Sequence, residues 1–381
     1  MAAIVVAGAL ANKPGNGGEA WVRLSWVRGL QQLGHDITFV EQIADDQCVD
    51  ASGRPAPRAA STAAAWFAAV TAAFGLRDAA LVGPRSTLDD GLAARLAAAD
   101  LLVNISGNLD REDVLSAVRV RAYVDIDPGF TQFWHAQGAL ADVLARHDLH
   151  FTIGESIGEP GCPVPTAGVA WQPVRQPVVL ADWPEQQGPG NGRFTTVANW
   201  RGPAGPVSAG GRTFGLKVHE FRKLMDLPGR APVPFEVALA ICPLDDGDRR
   251  ALVDAGWQFA DPVAAAGTPG RFRDYVQGSA AEFSVAQGMY VDTRCGWFSD
   301  RTVRYLASGR PALVQDTGFG KRLPVGVGLL TFTDLEQAAD GAARIRAEHA
   351  RHARAARSVA EQHFAAEVVL PPFLRACGLA A

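Results

Sequence analysis

The chain has 381 residues, a hydrophobic content of 48% and a formal net charge of −4. This length suits two domains with full hydrophobic cores, and the small negative charge gives no electrostatic reason to bind nucleic acid or an anionic membrane. No apolar run approaches the ~18 residues of a membrane span, and the first strand pattern begins without a basic signal-peptide flank. We therefore expect a cytoplasmic protein with no integral membrane segment and no nucleic-acid partner.

The cysteines argue against a disulfide framework or a zinc site. They are odd in number, widely scattered and without CxxC spacing, so reduced and mostly buried thiols are expected. The five positions are Cys48, Cys162, Cys242, Cys295 and Cys377.

The N-terminal pattern predicts the start of a Rossmann-like domain. An apolar run at 3–8 is followed by a glycine-rich loop, a helix face and a second apolar run at 37–40, which is the strand, loop, helix, strand order of that fold. Neither GxGxxG nor GxxxxGK[ST] is present. Gly15, Gly17 and Gly18 either turn the chain or let its backbone approach a ligand.

Acidic residues end two later strand patterns, 122–126 and 151–153. Asp125 and Asp127 share one side of the first of these because side chains in a strand alternate with period two. Carboxylates at this edge either shape a turn or accept a proton from a substrate hydroxyl. We keep Asp127, Asp125 and Glu155 as catalytic candidates.

The segments between these strands are predicted from composition. Residues 51–100 are rich in alanine and predict helices, and 101–105 predicts a strand that ends at Ser106-Gly107-Asn108. The segment 158–192 is too rich in proline and glycine to continue a helix or a central strand. It is the candidate linker to a second domain.

The second half of the chain begins with a predicted strand at 194–198 and carries two basic residues soon after it. Arg201 follows this strand, and Lys217 lies near the start of the next helix. Both side chains are suited to clamp a diphosphate, and the alternative is ordinary solvated surface charge.

Residues 288–320 are the most informative stretch. They predict a strand at 289–291, a helix capped by Ser299 with Asp300 in its first turn, and a strand at 311–315. Ligands of open α/β sheets bind at the carboxyl ends of strands, and a helix N-terminus favours phosphate. The stretch therefore predicts a site for a phosphorylated ligand that includes Asp316, Thr317 and Gly318.

Several motifs resemble known glycosyltransferases. GGE opening a helix, followed by LxxLGHDITFV, resembles the N-terminal end of GT-B glycosyltransferases. FxxxxxxxLASGRPALVQDTG is similar to the donor-binding region of glycosyltransferase family 4 and of the CgeB-like group, and GWFSDR, FTTVANWRG and GLKVHEF are similar to a little-characterised bacterial group of glycosyltransferases. The resemblance spans nearly the whole chain.

The resemblance implies an α/β protein of GT-B fold, in which two Rossmann-like domains face each other across a cleft. Residues 1–185 would bind the acceptor, 186–355 would bind a nucleotide-sugar donor, and helices in 356–381 would cross back toward the first domain. Family 4 carries two glutamates eight positions apart, which correspond here to Gly296 and Arg304.

The donor site expected from the patterns and the resemblance is a set of glycines, basic groups, acids and hydroxyls. Asp300, Glu282 and Asp316 are the candidates to replace the missing glutamates. Arg301 and Arg304 would add positive charge near the diphosphate. The full donor-binding set is Gly17, Gly18, Arg201, Lys217, Glu282, Ser299, Asp300, Arg301, Asp316, Thr317 and Gly318.

The resulting hypothesis is an enzyme that transfers a sugar from a nucleotide diphosphate sugar to a small-molecule or glycan acceptor. The nucleotide sugar is a co-substrate, and no cofactor or metal is expected. Asp125-Ile126-Asp127 has the letters of a DxD motif but lies in the acceptor domain. Two alternatives stay open, namely an epimerase or hydrolase of the same fold and a non-catalytic nucleotide-sugar-binding protein.

Overall fold

Two parallel β-sheets form the framework of the molecule. The structure is a computed structural model that describes residues 1–202 and 205–380. The first sheet has seven strands in the order β3-β2-β1-β4-β5-β6-β7. Its strands are β1 Ala3–Ala7, β2 Asp36–Gln42, β3 Ala79–Val82, β4 Leu101–Ile105, β5 Val120–Asp125, β6 Leu149–Thr152 and β7 Trp171–Pro173.

The first sheet reverses its winding at β1, which pairs with β2 on one side and β4 on the other. The buried apolar run of β1 fits a central strand covered on both faces. The strands are connected through α1 Gly17–Gln32, α2 Thr62–Ala73, α3 Asp90–Ala97, α4 Glu112–Leu115, α5 Phe130–Ala136 and α6 Ala141–Ala145.

The second sheet has six parallel strands in the order β12-β11-β8-β13-β14-β15, and β9 and β10 form a separate antiparallel hairpin. Winding reverses here at β8, between β11 and β13. The strands are β8 Phe194–Asn199, β9 Val207–Ala209, β10 Arg212–Phe214, β11 Phe235–Ala240, β12 Gln258–Phe259, β13 Ala281–Ser284, β14 Ala312–Gln315 and β15 Leu329–Phe332.

Helices α7 to α13 connect the strands of the second sheet, and α14 to α16 close the chain. Ligands of such sheets bind where the winding reverses, at the carboxyl ends of the strands. The helices are α7 Lys217–Arg222, α8 Leu227–Arg230, α9 Asp246–Asp254, α10 Pro262–Ala266, α11 Pro269–Gly278, α12 Gly288–Thr293, α13 Asp300–Ala307, α14 Leu335–Ala347, α15 His349–His363 and α16 Ala366–Ala376.

Backbone and aromatic contacts join the two halves tightly. The indole nitrogen of Trp21 on α1 donates to the carbonyl of Pro269 at 2.9 Å. Gly17 lies so close to the second domain that an added Cβ would be 2.1 Å from the carbonyl oxygen of Thr268. The last helix, α16, packs on α1, and the amide of Ala366 donates to the carbonyl of Val178. These contacts hold the two sheets on either side of the cleft.

Two predicted elements are wrong. Residues 289–291 belong to helix α12 rather than to a strand, and the strand that precedes this helix is β13. The predicted helical region 51–100 contains the edge strand β3. Among the described residues, no helix is long and apolar enough to span a membrane.

Candidate active site in the cleft between the sheets

Two adjoining cavities lie between the carboxyl ends of the sheets. The large cavity has a volume of about 460 Å³ and the small cavity about 210 Å³. Strand ends and helix starts from both domains line the large cavity, as expected where parallel sheets reverse their winding. Six residues line both cavities, namely Glu19, Val22, Asp127, Tyr290, Trp297 and Asp300.

Lys217 supplies a cation to the large cavity. It is the first residue of α7, and its backbone amide donates to Gln287 Oε1 at 2.6 Å. No carboxylate among residues 1–202 and 205–380 lies within ion-pairing distance of its Nζ. Burial, with the positive charge of Arg301, lowers the pKa of Lys217 to about 7. An anion in the large cavity would stabilise the charged form.

Arg301 is a second basic side chain in the wall of the large cavity, and three hydrogen bonds fix its guanidinium. It bonds to Glu282 at 2.6 Å, to the carbonyl of Val197 at 2.8 Å and to Ser284 Oγ at 2.7 Å. Glu282 has no solvent exposure and does not line either cavity. Glu282, predicted to contact the donor, instead positions Arg301.

The N-terminus of α13 faces the large cavity. Its cap residue Ser299 and first residues Asp300 and Arg301 line the wall, which leaves free N–H groups beside the unpaired Lys217. Arg304, expected to add charge here, is fully buried and donates to Ser25 Oγ on α1 at 3.1 Å. Arg304 therefore joins the domains and does not face the cavity.

The glycine-rich loop after β1 forms the opposite wall. Gly15, Asn16 and Gly18 line the large cavity, whereas Gly17 faces Thr268 of the second domain. The buried carboxylate of Glu41 accepts the amides of Leu10, Ala11 and Asn12 and so fixes the start of this loop. Sequence reasoning missed Glu41 because its partners lie about thirty positions away.

Asp127 and Asp125 have different surroundings. Asp125 is buried and accepts from Thr131, Gln132, Thr152 and the amide of Asp127 at 2.7 to 3.0 Å. These four hydrogen bonds fix the turn after β5 and join it to Thr152 on β6, which gives Asp125 a structural role.

Asp127 lies at the junction of the two cavities and lines both. Burial raises the pKa of Asp127 to about 6, and the nearby carboxylates of Asp125 and Glu19 act in the same direction. A carboxyl with a pKa near the working pH is suited to accept a proton during a reaction.

Glu155 lies outside the cleft cavities. Its carboxylate forms a bidentate pair with Arg175, with contacts of 2.8 and 3.1 Å, and it lines a separate cavity beside α16 with Phe373 and His363. Glu155, predicted as a catalytic candidate, is therefore not placed to act with Asp127.

Asp316, Thr317 and Gly318, predicted to bind the donor, support a loop instead and line neither cavity. Asp316 pairs with Arg294 at 2.8 Å and accepts the amide of Gly318, and the Thr317 hydroxyl donates to the carbonyl of Trp297. Gly296 has φ 82°, and an added Cβ there would lie 3.1 Å from Ser156 Oγ, so a glutamate at this position would be strained.

Arg201, predicted to clamp a diphosphate, is engaged elsewhere. Its guanidinium forms a bidentate pair with Asp245, with one contact of 2.7 Å, and its side chain is half exposed. The side chain does not line the large cavity.

Tyr290 and Trp297 form an aromatic wall shared by both cavities. Their rings stack with centroids 4.3 Å apart and an angle of 19° between the planes. The sequence pattern at 289–291 predicts a strand and therefore does not indicate that Tyr290 lies in the cleft, whereas Trp297 lies within the GWFSDR motif.

Solved glycosyltransferase structures match the chain along nearly its whole length. An alpha-glucosyltransferase in complex with UDP and a 13-mer DNA is 12% identical, with 98% of this chain and 99% of that chain covered and a TM-score of 0.62. HepE of Anabaena, in complex with UDP and glucose, is 11% identical, with 99% and 100% covered and a TM-score of 0.60.

A third match is AviGT4, a glycosyltransferase involved in avilamycin A biosynthesis. It is 12% identical, with 99% of this chain and 97% of that chain covered and a TM-score of 0.51. The two facing parallel sheets and these matches show that the chain has the GT-B fold, which confirms the predicted fold class. No protein-family model and no curated protein matches the sequence.

Proposed function

We propose that the protein is a glycosyltransferase that moves a sugar from a nucleotide diphosphate donor to a small acceptor. Lys217 carries this proposal, because it is half-buried, has no ion-pair partner in the described part of the chain and lies beside the N-terminus of α13 in a cavity between two facing sheets. Lysine and free backbone amides are the groups that bind phosphate oxygens. The solved structures of this fold that contain UDP support a uridine nucleotide.

The cleft geometry supports a division of the two ligands between the cavities. The diphosphate would lie against Lys217, Arg301 and the start of α13, so the nucleotide would fill the large cavity. The donor sugar would then reach the junction at Asp127, and the acceptor would enter the small cavity.

The proposed reaction exchanges one bond at the sugar's anomeric carbon. An acceptor hydroxyl forms a bond to this carbon while Asp127 takes the hydroxyl proton. The bond from the carbon to the diphosphate oxygen breaks, and the diphosphate leaves with the bonding electrons. Lys217, Arg301 and the amides of α13 meet the negative charge that develops on it.

A nucleoside diphosphate should stabilise the protein more than the corresponding nucleoside. We expect UDP to raise the melting temperature clearly above the shift caused by uridine, because only UDP can bind to Lys217 and the α13 terminus. Differential scanning fluorimetry at matched concentrations measures this difference. Equal shifts for the two ligands would count against a diphosphate site.

We expect turnover to persist in the presence of a chelator. Among the described residues, no group of three or more His, Cys, Asp or Glu side chains is arranged to hold a metal ion, so the lysine, the arginine and the helix terminus are left to meet the diphosphate charge. Activity that disappears in EDTA and returns with Mg²⁺ or Mn²⁺ would show that the proposal omits an essential metal.

The pH profile should be bell-shaped. A base at Asp127 must be ionised, which requires a pH above its pKa of about 6, and Lys217 must be protonated, which requires a pH below its pKa of about 7. We therefore expect kcat/KM, which reports the free enzyme, to be largest between about pH 6 and 7. Lys217→Arg, whose charge does not titrate in this range, should lose the alkaline limb, and an unchanged limb would remove Lys217 from the profile.

A further inference from the structure

The small cavity has a chemical character of its own, and we propose that it takes a neutral, polyhydroxylated acceptor of about the size of one sugar ring. This inference rests on the proposed glycosyl transfer and adds the substrate class. At about 210 Å³ the cavity is smaller than pockets for drug-sized ligands, which begin near roughly 300 Å³.

The charges around the small cavity give no preference for an acidic acceptor. Two cations, Lys13 and Arg23, line it together with three carboxylates, Glu19, Asp127 and Asp300. Glu19 already pairs with both cations, at 3.6 Å to Lys13 and in closer contact with Arg23. Asp300 also pairs with Arg304 at 3.2 Å, so the three carboxylates are balanced by three cations. The cavity therefore has no net positive charge that would favour a phosphate or a carboxylate on the acceptor.

Two amide side chains in the wall of the small cavity each have one polar atom that can bond to a ligand. Gln176 accepts from the Trp26 indole at 3.2 Å through Oε1, and its Nε2 has no partner among the described residues. Asn108 donates to the carbonyl of Ile105 at 2.8 Å through Nδ2, and its Oδ1 is likewise without a partner there. These two hydrogen bonds fix the orientation of each amide. Gln176 therefore presents an N–H donor, and Asn108 a carbonyl acceptor, to a hydroxylated ligand.

Ser106 adds an unusual backbone to this wall. It lies at the carboxyl end of β4 with φ 58°, in the left-handed region that non-glycine residues seldom adopt. Its hydroxyl is buried and has no hydrogen-bond partner among the described residues. Strained residues with unsatisfied polar groups concentrate at functional sites, and a ligand hydroxyl would satisfy this one.

The aromatic wall suits a sugar ring and limits the length of the acceptor. Tyr290 and Trp297 border the small cavity on the side of the second domain. An apolar aromatic surface opposite fixed polar groups matches a ring that is apolar on its faces and polar at its edge. A nucleic-acid duplex does not fit this volume, although solved structures of an alpha-glucosyltransferase of the same fold contain DNA.

The first experiment measures acceptor binding directly, by saturation-transfer NMR on the protein with UDP bound. Glucose, galactose and mannose are compared with glucuronate, glucose 6-phosphate and a 13-mer DNA. We expect at least one neutral sugar to bind about tenfold or more tightly than the charged sugars and the DNA. Tighter binding of a charged sugar or of the DNA, or binding of no neutral sugar while UDP binds, would overturn the inference. Failure of UDP itself to bind would overturn the proposed function on which it rests.

The second experiment separates a ligand contact from a structural effect at Ser106. Ser106→Gly removes the hydroxyl and relieves the strained φ, so the fold should be at least as stable. We expect the KM for the neutral acceptor to rise about three- to tenfold, which corresponds to the loss of one hydrogen bond. The affinity for UDP should stay within about twofold of that of the unaltered protein. Ala167→Gly is the matched control, since Ala167 has φ 49° and lines neither cavity. An unchanged KM in Ser106→Gly, or an equal rise in the control, would contradict the assignment.

Discussion

Asp127→Asn is expected to lower turnover by about 10²- to 10⁴-fold, the usual contribution of a general base. The substitution keeps the shape of the side chain and removes its basicity. Asp127 lines both cavities, and its pKa of about 6 leaves it mostly ionised at neutral pH. Because the diphosphate site lies on the other domain, UDP affinity should change by less than about threefold. Steady-state kinetics and calorimetric titration with UDP measure the two quantities.

The neighbouring acid provides a comparison for this result. Asp125 accepts four hydrogen bonds and faces neither cavity, so Asp125→Asn should lower the melting temperature more than Asp127→Asn does. A folded Asp127→Asn protein with near-normal turnover would remove Asp127 from the mechanism. Glu19 and Asp300 would then be the next acids to test, since both also line the two cavities.

Lys217→Ala is expected to weaken donor binding by about 1.5 to 3 kcal/mol, the range for a hydrogen bond to a charged group. Lys217 has no ion-pair partner among the described residues, so no competing carboxylate reduces its contribution. The side chain is desolvated without a partner, as the lowered pKa shows. Its removal should therefore leave the melting temperature of the ligand-free protein unchanged or slightly raised, while UDP affinity falls.

Arg201→Ala is the matched control for Lys217→Ala. Both residues are basic and follow β8, but the Arg201 guanidinium is paired with Asp245 and half exposed. We expect UDP affinity to change by less than about threefold in Arg201→Ala. A larger loss in Arg201→Ala than in Lys217→Ala would mean that the diphosphate lies nearer to β8 than the cavity indicates.

Much of the framework could be predicted from the sequence because buried parallel strands are short apolar runs. The runs at 3–8, 37–40 and 101–105 all correspond to strands of the first sheet. Strand β13 was harder to recognise, since its sequence AEFS contains the buried Glu282. Strand β3 has the sequence AALV, which resembles its alanine-rich helical surroundings.

The positions of the candidate residues could be predicted better than their partners. The strand-end rule places Asp127 and the Ser299 helix start at the cleft. The same rule says nothing about which long side chain is already paired. Arg201 pairs with Asp245 and Glu155 pairs with Arg175. Arg304 donates to Ser25, which lies 279 positions away in the sequence. These pairs form only after the chain folds, so spacing alone cannot distinguish a paired cation from one such as Lys217, which has no ion-pair partner among residues 1–202 and 205–380.

The dependence of donor turnover on an acceptor distinguishes the proposed transferase from its two alternatives. An epimerase or hydrolase would turn over the donor alone, since neither needs an acceptor in the small cavity. A non-catalytic protein would bind the donor without releasing diphosphate.

The most direct test is the release of UDP from a panel of UDP-sugars, measured by liquid chromatography with and without neutral sugar acceptors. We expect an acceptor to accelerate UDP release strongly, with an equal amount of glycosylated product formed. In Asp127→Asn, UDP release should fall to about 1% or less of the rate of the unaltered protein. UDP release at the same rate without any acceptor, or tight UDP-sugar binding with no release under any condition, would contradict the proposed transfer.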